Sequence, residues 1–256
     1  MKYILPFVRI FGLGLFIFSW LVFSNHALSA SLHIAVASNF IIPMKQIAKE
    51  FKQETGHSLQ LSFASSGKLY AQILNGAPYD VFLSADLIKP KALIKDQKAL
   101  NSDIVIYAKG RLALWSISPF SKSSLTDLIR QSKRLAIANP KLAPYGIAAE
   151  ESLRNLAIWT KVQKKLVKGE NIGQTFQFTY STNADVGLVA LSQVLSKPNL
   201  GHYIEIPSHL YNDINQAGVI LAKTQKPVLA AQFMAFLMST DIQAKIIQFG
   251  YSRQTH

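Results

Sequence analysis

Short apolar runs alternate with amphipathic segments along this chain of 256 residues. Leu59, Leu61 and Phe63 alternate with polar neighbours, as in a half-buried strand, and apolar residues then recur at helical spacing over 67–75. The apolar run 32–37 is followed in the same way by a helical stripe over 40–54. Strands that alternate with helices predict an α/β fold whose sheets are mainly parallel and flanked by helices.

The same alternation continues to the end of the chain. We expect further strands over 58–63, 81–84, 104–107, 112–115, 134–138, 164–167, 186–190, 203–206 and 218–222. We expect further helices over 124–131, 172–181, 227–238 and 240–249, one around Leu93 and one through Ala148 to Trp159. Ligands of open α/β sheets bind at the carboxyl ends of strands, so a site is expected in the strand-to-helix turns.

Two of these turns present serine. Ser38 and Asn39 follow the first strand, and Ser65, Ser66 and Gly67 follow the second. The free N–H groups and the positive dipole end of each following helix suit an anion. Ser38 and Ser66 could instead be simple helix caps. Two such turns close together along the chain favour a shared anion pocket.

The first thirty residues have the pattern of a secretory signal peptide. Lys2 and Arg9 precede an uncharged apolar run over 10–23, and small residues at 27–30 offer a cleavage site. The run is shorter than the ~20 residues that span a bilayer. An uncleaved anchor that starts at Leu5 is the alternative. We expect residues 1–30 to be removed and the remainder to be exported.

The formal net charge is +13, and the chain has no cysteine. Its lysines are dispersed, the densest group being Lys161, Lys164, Lys165 and Lys168, so we expect a solvated basic surface and no nucleic-acid partner. The alternative that this basic surface attracts small anions or an acidic partner over a long range stays open. Without disulfides, stability must come from packing.

Six segments resemble those of periplasmic molybdate-binding proteins, the substrate-binding components of molybdate ABC transporters. The resemblance covers the chain after the leader, in order, and is most specific from Phe63 to Asp86. The similar segments are 37–40, 63–69, 76–86, 138–140, 143–150 and 187–193.

The resemblance implies a two-lobed type II periplasmic-binding-protein fold with two crossover strands. It places residues 31–108 plus 216–256 in lobe 1 and residues 109–215 in lobe 2. Tyr107 to Gly110 and Asn212 to Gln216 are then the candidate hinges. The ligand would lie in the cleft between the lobes.

The resemblance also implies a set of ligand contacts. Ser38 and Ser66 would donate hydroxyl hydrogen bonds, and Tyr145 and Ile172 would donate backbone N–H groups from the opposite lobe. Some relatives have a tyrosine donor where this chain has Ala190. Asn39 is the candidate replacement for that donor. These residues would contact the oxyanion and not a bare metal cation.

The implied function is capture of molybdate or tungstate in the periplasm and delivery to a membrane permease that works with an ATPase. We expect a monomer without a cofactor and without enzymatic activity. A fully deprotonated oxyanion has only acceptors, so a pocket of donors suits it. Phosphate, which carries a proton near neutral pH, would need an acceptor.

Two alternatives stay open at this stage. One is a type II binding protein for another oxyanion, such as sulfate. The other is an exported hydrolase, which would need a nucleophile, a base and an orienting acid within reach of one another. The chain has no Gly-x-Ser-x-Gly elbow, and its histidines lie outside the serine turns.

Overall fold

The computed structural model of the protein describes residues 30–100 and 104–253. In this part of the chain, ten strands form two five-stranded sheets, each flanked by helices. The predicted signal peptide, residues 1–30, lies almost entirely outside the described residues. Within them, no helix is long and apolar enough to cross a membrane.

The first lobe is the sheet ordered β2-β1-β3-β10-β4 together with the helices packed on it. Its strands are β1 (Ser31–Ala37), β2 (Ser58–Ala64), β3 (Val81–Ser84), β4 (Val105–Gly110) and β10 (Ile214–Ile220). Its helices are α1 (Ile41–Thr55), α2 (Ser66–Leu74), α3 (Ile88–Lys95), α9 (Pro227–Leu237) and α10 (Thr240–Gln248). A 3₁₀ turn, Ser38–Phe40, joins β1 to α1.

The second lobe is the sheet ordered β7-β6-β8-β5-β9 with its helices. Its strands are β5 (Leu112–Ser116), β6 (Leu135–Ala138), β7 (Leu166–Gly169), β8 (Val186–Ala190) and β9 (His202–Glu205). Its helices are α4 (Leu125–Gln131), α5 (Pro144–Asn155), α6 (Trp159–Val162), α7 (Ile172–Tyr180) and α8 (Leu191–Leu195).

Each sheet is mixed, with four strands pointing one way and one running against them. The strands that run against their neighbours are β10 in the first sheet and β5 in the second. Each is the first strand after the chain crosses from one lobe to the other. Four of the five strands in each sheet therefore run in the same direction, as expected for mainly parallel sheets. The antiparallel pairings arise at the two strands that follow the crossings.

The crossings are short. Only Arg111 separates β4 from β5, and the other crossing runs from the end of β9 to Ile214. Arg111 forms an ion pair with Glu205 of β9, and Leu112 N–H donates to the hydroxyl of Tyr211, 3.1 Å away. These contacts tie the two connecting segments to each other at the base of the cleft.

Most predicted elements occur within two residues of the expected bounds, and the differences have local causes. Ala108 to Gly110, which the expected bounds left between two strands, belong to β4, because β10 pairs with them. The helix expected to reach Trp159 begins at Pro144 and ends at Asn155, and Ala157 has a positive φ of 55° before α6 starts. The five-residue helix α8 was not predicted.

The apolar faces of these elements are buried where the pattern predicts. Leu32, Ile34 and Val36 are fully buried between α1 and the terminal helices, and Leu135 and Ile137 are fully buried in the second lobe. Gly56 ends α1 in the left-handed region with φ 74°, which glycine adopts at low cost.

Candidate functional site

A small pocket lies where the strand ends of the two lobes meet. The turns after β1, β2 and β3 supply one wall, and the first turns of α5 and α7 supply the other. The lining residues are Ala37, Ser38, Asn39, Ser65, Ser66, Ala85, Ala143, Pro144, Tyr145 and Ile172. All five residues predicted to bind the ligand are therefore brought to one pocket.

The pocket is the size of a small ion. The cavity volume is about 10 Å³, which leaves room for a group roughly 2.7 Å in radius once the 1.4 Å radius of a water molecule is added. Pockets that take organic ligands enclose about 300–1,000 Å³. The space at the five predicted residues therefore suits one small polyatomic ion.

No lining side chain carries a charge. The set contains hydroxyl, amide and apolar side chains but no Asp, Glu, Lys, Arg or His. Tyr145 is its one titratable residue, and burial raises the pKa of its phenol well above the usual value. The lining thus offers hydrogen-bond donors and no general base, which disfavours the hydrolase alternative.

Ser65 and Ser66 have different roles. Ser65 is the cap of α2, and its Oγ accepts from the backbone N–H of Lys68 at 3.3 Å. Ser66 is the first helical residue, is 1% exposed, and its Oγ accepts from Ala85 N–H at 2.9 Å. A hydroxyl that accepts this bond retains its own hydrogen for a ligand. The helix-cap alternative thus applies to Ser65 and not to Ser66.

Ser38 begins the 3₁₀ turn after β1 and is not a helix cap. Its side chain is 5% exposed, and its hydroxyl has no hydrogen-bond partner among the described residues. The Ser38 hydroxyl and the backbone N–H groups of this turn are therefore available to a ligand.

Asn39 lies in the same turn, but its amide points elsewhere. Asn39 Nδ2 donates to Gln216 Oε1 at 2.8 Å and to the hydroxyl of Tyr251 at 2.9 Å. Both amide hydrogens are thereby used. In this arrangement the donor that Asn39 retains for a ligand is its backbone N–H, and its candidate role as replacement for the tyrosine donor missing at Ala190 stays a prediction.

Tyr145 and Ile172 supply the opposite wall from the starts of two helices. Tyr145 is the second residue of α5, after Pro144, and Ile172 is the first residue of α7. Backbone N–H groups in a first helical turn have no intrahelical partner, and the helix dipole is positive there. The cap of α7 is Asn171, whose side chain accepts from Gln174 N–H at 3.0 Å. The backbone N–H groups of Tyr145 and Ile172 are therefore not used by the helix caps.

The lobes touch directly around the pocket. Gly67 N–H donates to Leu142 O at 2.9 Å, and a methyl group added at Gly67 would lie 2.8 Å from that oxygen. Glu170, an acid close to the ligand turns in sequence, pairs with Lys68. It is not part of the pocket lining.

Some lining residues were missed by the sequence reasoning. Ala85 follows β3 at the same sheet edge as the two serine turns, so its position could have been inferred from strand order. Ala143 and Pro144 lie beside a residue that was predicted. Among the described residues, no cluster of His, Cys, Asp and Glu could hold a metal ion.

Comparisons with known proteins point in one direction. Residues 32–252 match the bacterial extracellular solute-binding protein family. The chain is 39% identical to the molybdate-binding protein ModA of Azotobacter vinelandii over 232 residues, or 89% of this chain and 92% of that protein. It is 37% identical to the molybdate-binding protein ModA of Rhodobacter capsulatus over 218 residues, or 85% and 86% of the two chains.

A solved structure shows the same similarity. The periplasmic molybdate-binding protein of Azotobacter vinelandii superposes with a TM-score of 0.84 at 35% sequence identity. The match covers 88% of this chain and 100% of that one. Sequence and fold therefore agree over both lobes.

Proposed function

Because the chain belongs to the bacterial extracellular solute-binding proteins, and among them to the molybdate-binding proteins, we propose that it captures molybdate in the cleft between its lobes. Tungstate, a fully deprotonated ion of nearly the same size, is the expected second ligand. The observation that carries this proposal is the small pocket without charged side chains, lined by hydroxyls and by the N-termini of α5 and α7.

The proposed contacts follow from which donors are free. Ser38 and Ser66 donate their hydroxyl hydrogens, while Tyr145 and Ile172 donate backbone N–H groups from the other lobe. Asn39 contributes through its backbone N–H. A dianion that accepts hydrogen bonds from uncharged groups at helix N-termini needs no cationic side chain. The chemistry is binding alone, without a catalytic step or a cofactor.

The ligand is expected to favour lobe closure. Donors from both lobes reach the anion only when the cleft is closed, and this differential contact shifts the equilibrium toward the closed form. Residues 31–108 plus 216–256 and residues 109–215 would move as the two bodies. Tyr107–Gly110 and Asn212–Gln216 would absorb the rotation. Small-angle scattering should show compaction on addition of molybdate, and an unchanged radius of gyration would contradict the hinge.

The family also indicates where the protein acts. We propose that it works in the periplasm as a monomer, after removal of residues 1–30, and that the closed form delivers its ligand to a membrane permease coupled to an ATPase. Edman sequencing of the exported protein tests the first part, because the new N-terminus should be Ser31. Retention of residues 1–30 would indicate an anchor.

Thermal unfolding tests the function itself. A ligand that binds only the folded state raises Tm, and at a fixed ligand concentration the rise grows with the logarithm of the affinity. We expect a large rise with molybdate and tungstate, a small one with sulfate, and none with phosphate. Equal shifts with sulfate would favour the alternative of a general oxyanion-binding protein. Hydrolysis of an ester such as p-nitrophenyl acetate that is lost in Ser66→Ala would revive the hydrolase alternative.

A further inference from the structure

The C-terminal segment reaches into the base of the cleft. Tyr251 follows α10, is 2% exposed, and its hydroxyl donates to the backbone oxygen of Asn39 at 2.9 Å. The same hydroxyl accepts from Asn39 Nδ2 at 2.9 Å. One phenol thereby holds both the main chain and the side chain of a residue in the ligand turn.

A residue of the second lobe also contacts the Tyr251 hydroxyl. Ser192 of α8 lies with its Oγ 3.1 Å from the Tyr251 hydroxyl and 3.2 Å from Asn39 O. If Tyr251 donates to Asn39 O, the Ser192 hydroxyl can donate to Tyr251, while the Asn39 amide donates to Tyr251 and to Gln216. The hydroxyl hydrogens of Tyr251 and Ser192 and both amide hydrogens of Asn39 then have acceptors. Such a satisfied buried network fixes the geometry of its members.

The segment that carries Tyr251 is itself fixed on both sides. Ser252 and Lys109 exchange two backbone hydrogen bonds of 2.9 Å, which attaches the segment to β4 beside the crossing. Gly250, with φ 85°, packs against α8, where an added methyl group would lie 2.7 Å from Leu195 Cδ1. The segment therefore touches both lobes as well as the turn that carries Ser38.

We propose that Tyr251 and Ser192 are positioning residues for the anion pocket, which hold the 38–40 turn of the first lobe in register with α8 of the second. The inference rests on the proposed function. Neither residue lines the pocket, so each acts through Asn39.

The planar peptide explains how the effect reaches the ligand. Holding Asn39 O fixes the plane of the 39–40 peptide, because the peptide group does not twist. The bonds to the Asn39 amide hold the side chain on the same Cα, so Asn39 is held both at its carbonyl and at its side chain. Its own backbone N–H, in the preceding peptide, then has a fixed direction before the anion arrives. Burial raises the pKa of Tyr251, so its hydroxyl stays a neutral donor at physiological pH.

The test compares molybdate affinity in Tyr251→Phe, Ser192→Ala and the double variant. We expect each single variant to bind molybdate about 2- to 13-fold more weakly, the range for loss of one neutral hydrogen bond. The double variant should lose less than the product of the two, because both residues act on Asn39. Calorimetry gives the affinities, and thermal unfolding without ligand gives the stabilities.

Tyr79→Phe is the matched control. Tyr79 is 8% exposed and its hydroxyl lies 3.0 Å from Gln72 Oε1, in the first lobe and outside the pocket lining. It should lower stability by an amount similar to Tyr251→Phe and leave molybdate affinity unchanged. This comparison separates positioning of the ligand turn from a general loss of stability.

Failure of this inference can be distinguished from failure of the proposed function by comparing these variants with Ser66→Ala. If Ser66→Ala weakens molybdate binding while Tyr251→Phe and Ser192→Ala both stay within twofold of the parent, the inference is overturned and the pocket stands. If Ser66→Ala also leaves the affinity unchanged, the pocket is elsewhere and both proposals fail. If Tyr251→Phe does not fold, Ser192→Ala alone decides, since it removes one hydroxyl and keeps the Tyr251–Asn39 bonds.

Discussion

Lys68 of the first lobe and Glu170 of the second form an ion pair across the cleft, with 2.8 Å between Nζ and Oε1. Lys68 follows β2 and Glu170 follows β7, and these strands lie at the sheet edges farthest from the crossings. A rotation about the crossings would separate this edge more than any other part of the pocket. The pair therefore closes the mouth of the cleft.

Lys68→Ala should make molybdate leave faster. The two side chains are 49% and 40% exposed, and a surface pair contributes about 0.2–1 kcal/mol, so we expect an off-rate about 1.5- to 5-fold higher. The effect should fade in high salt, which screens exposed charges. Stopped-flow fluorescence measures the rate. Arg154→Ala, which removes the pair with Glu150 within α5, is the control and should leave the rate unchanged.

Ser66→Ala and Ser38→Ala should weaken molybdate binding strongly. Each removes a donor to a desolvated dianion, and a lost hydrogen bond to a charged group costs about 1.5–3 kcal/mol, or roughly ten- to a hundred-fold in affinity. Ser124→Ala is the matched control, because Ser124 caps α4 outside the pocket. It should lower stability by about 1 kcal/mol without changing affinity. Unchanged affinity in both pocket variants would place the site elsewhere.

Tyr145→Phe should leave molybdate affinity almost unchanged. The proposed contact is the backbone N–H of Tyr145, and within residues 30–100 and 104–253 its buried hydroxyl has no partner at good hydrogen-bond geometry. Removing a buried polar group without a partner does not cost stability, so Tm should stay the same or rise. Calorimetry and thermal unfolding measure the two quantities. A tenfold loss of affinity would show that the hydroxyl takes part in binding.

Molybdate affinity should be independent of pH from about 7 to 9. The pocket lining contains one titratable group, Tyr145, and burial raises its pKa above the usual value. Stability should instead fall above about pH 10, the pKa of tyrosine in the unfolded chain. Above it the unfolded chain releases protons that Tyr107, Tyr145 and Tyr251 retain in the folded state. Calorimetry across this pH range checks the first statement, and a sloping affinity would reveal a titratable group at the site.

The sequence predicts much of the fold because strand and helix periodicity is local. The serine turns are found in the same way, since a strand end, small residues and a helical stripe are adjacent in the chain. Pro144 at the first position of α5 was an available signal for an earlier helix start. The five residues of α8 were too few to show a helical period.

The direction of the Asn39 amide could not be predicted from sequence. It depends on Tyr251, 212 residues away along the chain, and on a strand that returns from the second lobe. No local pattern marks such a partner. The roles of Ser65 and Ser66 were separable only once the structure showed which hydroxyl accepts from Lys68 and which accepts from Ala85.

Selectivity depends on the size of the pocket and on its donors. Sulfate has the charge of molybdate but shorter bonds to oxygen, so its hydrogen bonds to the same donors are stretched. Each poorly made bond loses part of about 1.5–3 kcal/mol. Phosphate carries a proton for which the lining offers no charged acceptor.

Competition calorimetry at physiological salt tests this account most directly. Molybdate titrated into protein that is preloaded with a large excess of sulfate or phosphate should bind with nearly its full affinity, and tungstate should compete about equally. Sulfate or phosphate that displaces molybdate at comparable concentrations would contradict the assignment of a molybdate-selective pocket.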